Sequence, residues 1–200
     1  DPALPLAEAR ALPGGFYTDP SVLSLEQRQV FGATWQLVAR ADELPAPGCY
    51  VTTTVGAEPI AVVRGKDGAL RAFYNVCRHH AAAVLTAPAG CVERLRCPYH
   101  GWTYSLEGHL KVVPEWDGVR CFAKEDHGLM PVPVALWEGL VFVHLGPSPP
   151  PLAAYLGRMA ALVAPLRLSE LRFVERRVWT LECNWKVFID NYLDGGYHVP

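Results

Sequence analysis

Two short segments that contain cysteine and histidine constrain the fold of this 200-residue chain more than any other feature of its sequence. The first segment is 77–80, Cys-Arg-His-His, and the second is 97–102, Cys-Pro-Tyr-His-Gly-Trp. Each supplies one thiolate and one imidazole, as Cys-x-His and Cys-x-x-His, and strand-like sequence flanks both. Ligands from two segments share one centre only where the fold brings the two loop tips together, so we expect these tips to face each other.

This ligand set is that of a Rieske [2Fe–2S] centre, in which two cysteines hold one iron and two histidines hold the other. We therefore predict that Cys77, His79, Cys97 and His100 are the cluster ligands. Neutral imidazoles in place of thiolates raise the reduction potential. His80 would give a Cys-x-x-His spacing, which suits zinc, and a structural zinc site in a β domain used for interaction is the alternative. That alternative predicts a colourless protein.

Two residues after His100 support the cluster. Gly101 has no Cβ, so it lets the backbone approach the cluster closely. Trp102 is expected to contact the cluster and shield it from water.

The composition excludes several classes of protein. Half of the residues are hydrophobic and 19% are charged, which predicts a folded core rather than disorder. A net charge of −2 gives no basic surface for nucleic acid. No apolar run is long enough to span a membrane, and the N-terminus has no signal-peptide pattern. We therefore expect neither a nucleic-acid partner nor a membrane partner.

The other four cysteines, Cys49, Cys91, Cys121 and Cys183, are scattered without a recognisable framework. A disulfide scaffold is normally shorter and denser in cysteine, so we expect all four to be reduced thiols. Reduced thiols fit a reducing compartment. The expected location is the cytoplasm, with the chloroplast stroma as the alternative for a plant or algal protein.

Turn and strand signals divide the chain into three regions. Residues 1–34 predict an irregular arm and a helix that starts at a capping box, Ser24 to Gln27, and runs to Gly32. In residues 35–146, short strands every eight to twelve residues predict a mainly β fold, a small antiparallel barrel or sandwich with the two ligand segments on hairpin loops. Residues 147–200 begin with a proline-rich linker.

The third region mixes helix and strand signals. A helix is predicted over 152–162, a strand over 171–181, where apolar residues alternate, and a helix over 183–192. Asp190, Asp194 and His198 recur at every fourth position, but a Gly-Gly pair after Asp194 argues against a helix that includes all three. Solvated carboxylates and an ordinary loop histidine are the alternative explanation.

The two ligand segments, Asn184-Trp185-Lys186 and the ending 190–200 together resemble the α subunit of a Rieske non-haem iron oxygenase, and the ending most resembles the branch that contains choline monooxygenase. The resemblance covers nearly the whole chain. It implies a Rieske domain at 35–146 and a larger α+β catalytic domain, incomplete here, that begins within 147–200. The arm 1–34 would pack on that catalytic domain.

The resemblance also implies a second cofactor, a mononuclear non-haem Fe(II) held by two histidines and one carboxylate. His198 matches the first of these histidines, and the other two ligands are expected beyond Pro200. Candidate catalytic residues are Asp194, Asp190 and Asn191. In the family, an acidic residue that connects the cluster of one subunit to the iron site of the next stands three residues before that histidine. In this sequence Gly195 occupies that position, and the nearest carboxylate, Asp194, stands four residues before His198.

An activity follows from the same resemblance. A ferredoxin or flavin reductase would deliver electrons to the cluster, which would pass them to the mononuclear iron. O₂ would then hydroxylate a small substrate, choline or another quaternary ammonium compound. A homotrimer is implied, since the distance that an electron would have to cross between the cluster and the iron of the same subunit would be too long. The alternative is a stand-alone Rieske ferredoxin, which would end soon after the last predicted hairpin near Leu145.

Overall fold

The computed structural model describes residues 4–8 and 10–193. The chain forms two compact units, one from Gln29–Val174 and one that combines Asp1–Arg28 with Glu175–Pro200. Strands are confined to the first unit within the described residues. They are β1 (Gln36–Arg40), β2 (Cys49–Val55), β3 (Glu58–Arg64), β4 (Leu70–Tyr74), β5 (Ala89–Cys91), β6 (Leu95–Arg96), β7 (Thr103–Tyr104), β8 (Leu110–Val112), β9 (Pro131–Val132), β10 (Val134–Trp137) and β11 (Leu140–Val143).

All pairings between these strands are antiparallel. A five-stranded sheet has the order β5-β2-β3-β4-β9, and two three-stranded sheets have the orders β1-β11-β10 and β6-β7-β8. The mainly β, antiparallel fold predicted for this region is confirmed. The last predicted hairpin forms as β10 and β11, across Glu138 and Gly139.

The five-stranded sheet is buried on both faces at its central strand, β3. In β3, Ile60 and Val62 pack into one core with residues of β1 and β11, whereas Ala61 and Val63 pack into a second core with residues of β6, β7 and β8. Side chains alternate between the faces of a strand, so a continuous apolar run is what a central strand between two cores requires. The second core also contains Cys77 and Cys97, which places the predicted ligand loops on this side of the sheet.

The helices are short. They are α1 (Gly15–Thr18), α2 (Pro20–Glu26), a π-helical turn (Gln27–Phe31), α3 (Leu152–Leu156), α4 (Arg158–Val163) and α5 (Trp185–Leu193). The capping box predicted at Ser24 is wrong as a helix start. Asp19 caps α2 instead, because its side chain accepts a hydrogen bond from the Ser21 N–H at 2.8 Å, and Pro20 takes the first helical position, which needs no N–H.

The predicted helix over 152–162 forms in two pieces. It is interrupted at Gly157, where φ is +49°, and continues to Val163. The helix predicted over 183–192 is confirmed as α5.

The predicted strand over 171–181 is wrong for the described structure. No ladder forms there, and Val174 and Val178 are 88% and 82% exposed. The alternation of apolar residues is present, but no described strand lies beside it, and a strand requires a hydrogen-bonded neighbour.

The expectation that all four remaining cysteines are reduced is wrong for two of them. Cys49 and Cys91 lie directly opposite each other in the register of β2 and β5 and form a disulfide. Their separation of 42 residues hides this pairing from the sequence. Cys121 and Cys183 are free and exposed. The pairing also removes the reason for which the sequence favoured a reducing compartment.

Among the described residues, no helix has the length and apolar character needed to cross a membrane.

Candidate metal centre

The first ligand loop is a tight turn that begins at Cys77, three residues after β4. The hairpin predicted here is wrong, because β4 and β5 on either side of the loop are separated in the sheet by β2 and β3. The Cys77 N–H donates to the Ala82 carbonyl at 2.8 Å, and the Ala81 N–H donates to the Cys77 carbonyl at 3.0 Å. Ala81 has a φ of +58°, a left-handed conformation that costs an alanine about 1 kcal/mol. The loop therefore returns on itself and presents 78–80 at its tip.

The second ligand loop repeats this backbone. The Cys97 N–H donates to the Trp102 carbonyl at 2.9 Å, and the Gly101 N–H donates to the Cys97 carbonyl at 3.1 Å. Gly101 has a φ of +73°, and a Cβ there would lie 3.4 Å from the Pro114 side chain. The glycine is thus explained by its left-handed backbone, which only glycine adopts without strain.

The two cysteine side chains lie side by side under the loops. Cys77 and Cys97 are 3% and 2% exposed. Burial raises the pKa of the Cys97 thiol, the neighbouring Cys77 raises it further, and the backbone N–H groups of Tyr99 and His100 act in the opposite direction. A metal bound here would have to displace a thiol proton. The two N–H groups are placed to stabilise the negative sulfur that results.

Three imidazoles of the two ligand loops lie close together at the edge of the site. The ligand nitrogens of His79, His80 and His100 all lie within 4.8 Å of one another. His79 is half-buried and stacks on the Trp102 ring, with centroids 4.8 Å apart and planes 5° from parallel. Partial burial, and then the nearby His80 and His100 rings, lower the pKa of His79. A lowered pKa favours the neutral imidazole, which is the form that binds a metal.

Tyr104 is a contact to the site that sequence reasoning missed. Its hydroxyl lies 3.3 Å from the Cys77 Sγ and accepts a hydrogen bond from the Arg78 N–H at 3.0 Å. The side chain is completely buried, and burial followed by the neighbouring Cys77 raises the pKa of Tyr104. The hydroxyl therefore keeps its proton, and it donates that proton to Cys77 when the sulfur is a thiolate. The only signal in the sequence was a tyrosine two residues after Trp102.

Asn75 is a second missed residue. It is buried, and its side-chain oxygen accepts from the Val84 N–H at 3.1 Å and the Leu85 N–H at 2.9 Å, while its Nδ2 donates to the Leu85 carbonyl at 2.7 Å. These three bonds tie the end of β4 to the segment that follows the first ligand loop. A polar residue at the end of an apolar strand, two positions before Cys77, was the available signal.

The donor set fits a Rieske cluster in its arrangement as well as its composition. Two sulfurs are buried, and two imidazoles, His79 and His100, lie at the outer edge with ring centroids 4.9 Å apart. Hydrogen-bond donors reach both sulfurs, as expected for sulfur ligands of an iron–sulfur cluster. Cys77 and Cys97 would hold the inner iron and the two histidines the outer one.

Comparison with known families decides between the cluster and zinc. Residues 34–123 match the Rieske [2Fe-2S] domain, and residues 168–200 match the ring hydroxylating alpha subunit catalytic domain. The chain belongs to the Rieske non-haem iron oxygenase family. The Rieske domain implies the [2Fe–2S] cluster, and the family implies a mononuclear non-haem iron.

The curated relatives of this chain include several monooxygenases. It is 36% identical to a chloroplastic choline monooxygenase of Arabidopsis thaliana over 100% of the chain and 50% of the relative. It is 39% identical to the glycine betaine monooxygenase oxygenase subunit of Chromohalobacter salexigens, over 90% of the chain and 40% of the relative. The chain thus spans about half the length of the curated relatives it matches, or less.

A solved structure shares this fold. The quaternary ammonium Rieske monooxygenase CntA, crystallised with the substrate L-carnitine, superposes on 90% of this chain and 52% of its own, with a TM-score of 0.84 and 35% identity.

The catalytic residues predicted from the ending fall into two groups. Asp190 and Asn191 lie on the described helix α5, where Asp190 accepts a hydrogen bond from the Tyr17 hydroxyl at 2.6 Å. Asp194 and His198 lie outside the described residues of this Rieske oxygenase chain, so their predicted roles stay predictions.

Proposed function

We propose that the chain is part of an oxygenase component in which electrons pass from the Rieske cluster to a mononuclear iron, where O₂ hydroxylates a small quaternary ammonium compound. One observation carries the proposal. Two buried thiols and a pair of edge imidazoles lie on two ligand loops, in a chain that continues into a ring hydroxylating alpha subunit domain. A stand-alone ferredoxin has no need for that second domain.

The residues of this chain divide the work at the cluster site. When bound, the cluster supplies one-electron transfer and the mononuclear iron supplies O₂ activation. Cys77 and Cys97 would hold the inner iron away from water, since both are buried. His79 and His100 would place the outer iron at the protein surface. Trp102, 3% exposed and stacked on His79, would keep that imidazole in one orientation and exclude water from its inner face.

Choice of substrate rests on the relatives. Choline, glycine betaine and carnitine all carry a quaternary ammonium group, and these are the substrates named for the similar proteins. We propose a substrate of this class, recognised through aromatic side chains by cation–π contact. The electron donor would be a ferredoxin or flavin reductase. The assembly would be a homotrimer, so that the cluster of one subunit serves the iron of its neighbour.

The remaining assignments follow the sequence. We propose an N-terminal arm at 1–34, the Rieske domain at 35–146, and the linker with the start of the catalytic domain at 147–200. His198 would be the first iron ligand, and Asp194 the bridge to the neighbouring cluster. The proposed location is the cytoplasm. The chloroplast stroma is the alternative, and the relative from Arabidopsis thaliana is called chloroplastic.

The proposal is tested on the whole natural protein, purified without oxygen. We expect a brown protein whose dithionite-reduced form has the electron paramagnetic resonance (EPR) spectrum of a mixed-ligand [2Fe–2S] cluster. With a reductase and O₂, choline, glycine betaine and carnitine are then offered separately, and hydroxylated product is quantified. A colourless protein that contains zinc contradicts the cluster. A normal cluster without oxygenation of any of the three substrates contradicts the substrate class.

His80 provides a matched control for the histidine assignment, because it lies as close to His100 as a ligand would. Its ring centroid is 5.3 Å from that of His100, against 4.9 Å for His79. We expect His79→Ala to abolish the Rieske EPR spectrum and His80→Ala to leave it. The reverse outcome assigns the ligand to His80.

A further inference from the structure

One carboxylate of the N-terminal arm holds the first turn of α5. Within the smaller unit, Glu26 at the end of α2 accepts a hydrogen bond from the Trp185 indole N–H at 2.8 Å on one oxygen, and from the Lys186 ammonium at 2.5 Å on the other. Trp185 and Lys186 are the first two residues of α5. Both oxygens of Glu26 are therefore engaged by consecutive residues of one helix.

The ion pair in this contact is shielded from water. The side chains of Lys186 and Glu26 are only 10% and 11% exposed. The ammonium also lies 5.6 Å from the centroid of the Tyr17 ring and 5.3 Å from that of Trp185. A lysine is almost never buried to this degree without a partner. Removal of Glu26 would leave an uncompensated charge, which destabilises a structure more than removal of both partners does.

Tyr17 on α1 makes two further contacts with the same helix. Its backbone carbonyl accepts from the Asn184 Nδ2 at 3.1 Å, and its hydroxyl donates to the Asp190 Oδ2 at 2.6 Å. Asn184 caps α5, since its Oδ1 accepts from the Lys186 N–H at 3.1 Å. The helix is thus held at its cap, its first turn and its second turn.

We infer that Glu26 and Tyr17 are positioning residues that hold α5 in place, and α5 is the helix that precedes His198 in the sequence. This inference rests on the proposed function, because His198 is the expected iron ligand there. It also gives Asp190 a structural role. The Asp190 carboxylate, which accepts the hydrogen bond from the Tyr17 hydroxyl, helps to anchor α5. Asp194 remains the candidate residue of the electron path.

The first experiment measures amide hydrogen exchange over 186–193 in the whole holoprotein. Glu26→Gln keeps the size of the side chain but removes the charge opposite Lys186, and we expect exchange at least about tenfold faster in α5. Glu26→Gln combined with Lys186→Met removes both members of the pair and should restore exchange to within about threefold of the natural protein. Asp19→Ala, which removes the cap of α2, is the matched control for general loosening and should change α5 by less than about threefold.

The second experiment separates this inference from the proposed function. Mononuclear iron per subunit is quantified beside the integrated Rieske EPR signal. Glu26→Gln should lower the mononuclear iron content by at least half, leave the Rieske signal unchanged, and be rescued by the double variant. A natural protein without a Rieske signal contradicts the proposed function. A normal Rieske signal with unchanged α5 exchange and iron content in Glu26→Gln, or an equal effect of Asp19→Ala, overturns the inference.

Asp190 is tested against its hydroxyl partner. Tyr17→Phe removes the donor of this hydrogen bond and Asp190→Ala removes its acceptor, so the two variants should accelerate α5 exchange equally and slow turnover equally. A much slower reoxidation of the cluster in Asp190→Ala than in Tyr17→Phe would place Asp190 in the electron path and overturn its structural role.

Discussion

Removal of the Tyr104 hydroxyl tests how the protein sets the potential of its cluster. In Tyr104→Phe, the Cys77 sulfur loses the donor that lies 3.3 Å away. The aromatic ring, which is completely buried in the core beneath the loops, stays in place. The Arg78 N–H also loses its acceptor, which costs about 1 to 3 kcal/mol of stability, but the backbone hydrogen bonds that close the loop at Cys77, Ala81 and Ala82 remain. We therefore expect the cluster to assemble normally.

The magnitude follows from the charge on the sulfur. Reduction adds one negative charge to the cluster, so a donor to Cys77 stabilises the reduced form more than the oxidised form. A net hydrogen bond contributes about 0.5 to 1.5 kcal/mol. On a one-electron scale 59 mV corresponds to a tenfold change, about 1.4 kcal/mol. Tyr104→Phe should therefore lower the reduction potential by about 20 to 60 mV.

The potential is measured by redox titration followed through circular dichroism or EPR. Tyr50→Phe is the matched control, since Tyr50 belongs to the same core and its hydroxyl lies over Gly90 on β5 rather than at a sulfur. The control should leave the potential within about 10 mV. An unchanged or higher potential in Tyr104→Phe, with full cluster content, would refute the reasoning that the hydroxyl donates to the sulfur.

Three further perturbations test the rest of the structure. Replacement of Cys49 and Cys91 by serine opens a 42-residue loop, which should lower the free energy of unfolding by about 4 kcal/mol. Chemical denaturation measures this loss, and a stability equal to that of the oxidised natural protein would mean that no disulfide forms. Ala81→Gly relieves a left-handed alanine and should raise the free energy of unfolding by about 0.5 kcal/mol, and a loss of stability would contradict this. Asp42 accepts hydrogen bonds from the Phe173 N–H and from the Arg40 side chain, and both bonds lower the pKa of the Asp42 carboxyl. The contribution of Asp42 to stability is therefore fully present at a pH above the ordinary pKa of aspartate, and it is lost as the pH falls below about 4. Exchange protection of 168–173 should drop there, whereas Asp42→Asn should lack the protection at every pH.

Much of the metal site was predictable from local pattern. The spacing of Cys77, His79, Cys97 and His100, between strand-like stretches, predicted two facing loops, and the structure places the two cysteines side by side and the two imidazoles close together. The ligand spacing is visible in the sequence because a cluster of fixed size can be bound by only a few loop geometries, and each of these fixes the number of residues between the ligands of one loop. Tyr104 and Asn75 carried no such signature. Their roles depend on which backbone and sulfur atoms lie beside them.

Two of the wrong predictions depend on neighbours that are distant in the sequence, and the third depends on local competition. The Cys49–Cys91 disulfide depends on the register of β2 against β5, which no local pattern encodes. The strand predicted over 171–181 had the right alternation but no neighbour to pair with among the described residues. The helix start moved from Ser24 to Asp19 because two capping residues competed, and the one followed by proline made the better N-terminus.

The sequence by itself determined the kind of centre, since only certain residue types bind iron and sulfur, and these types were grouped within a few positions of one another. Only the tertiary structure decided what surrounds that centre: the tyrosine at the sulfur, the asparagine behind the loop and the buried ion pair that holds α5. Each of these contacts joins residues that are 9 to 160 positions apart, and hydrogen bonds depend on distance in space rather than along the chain.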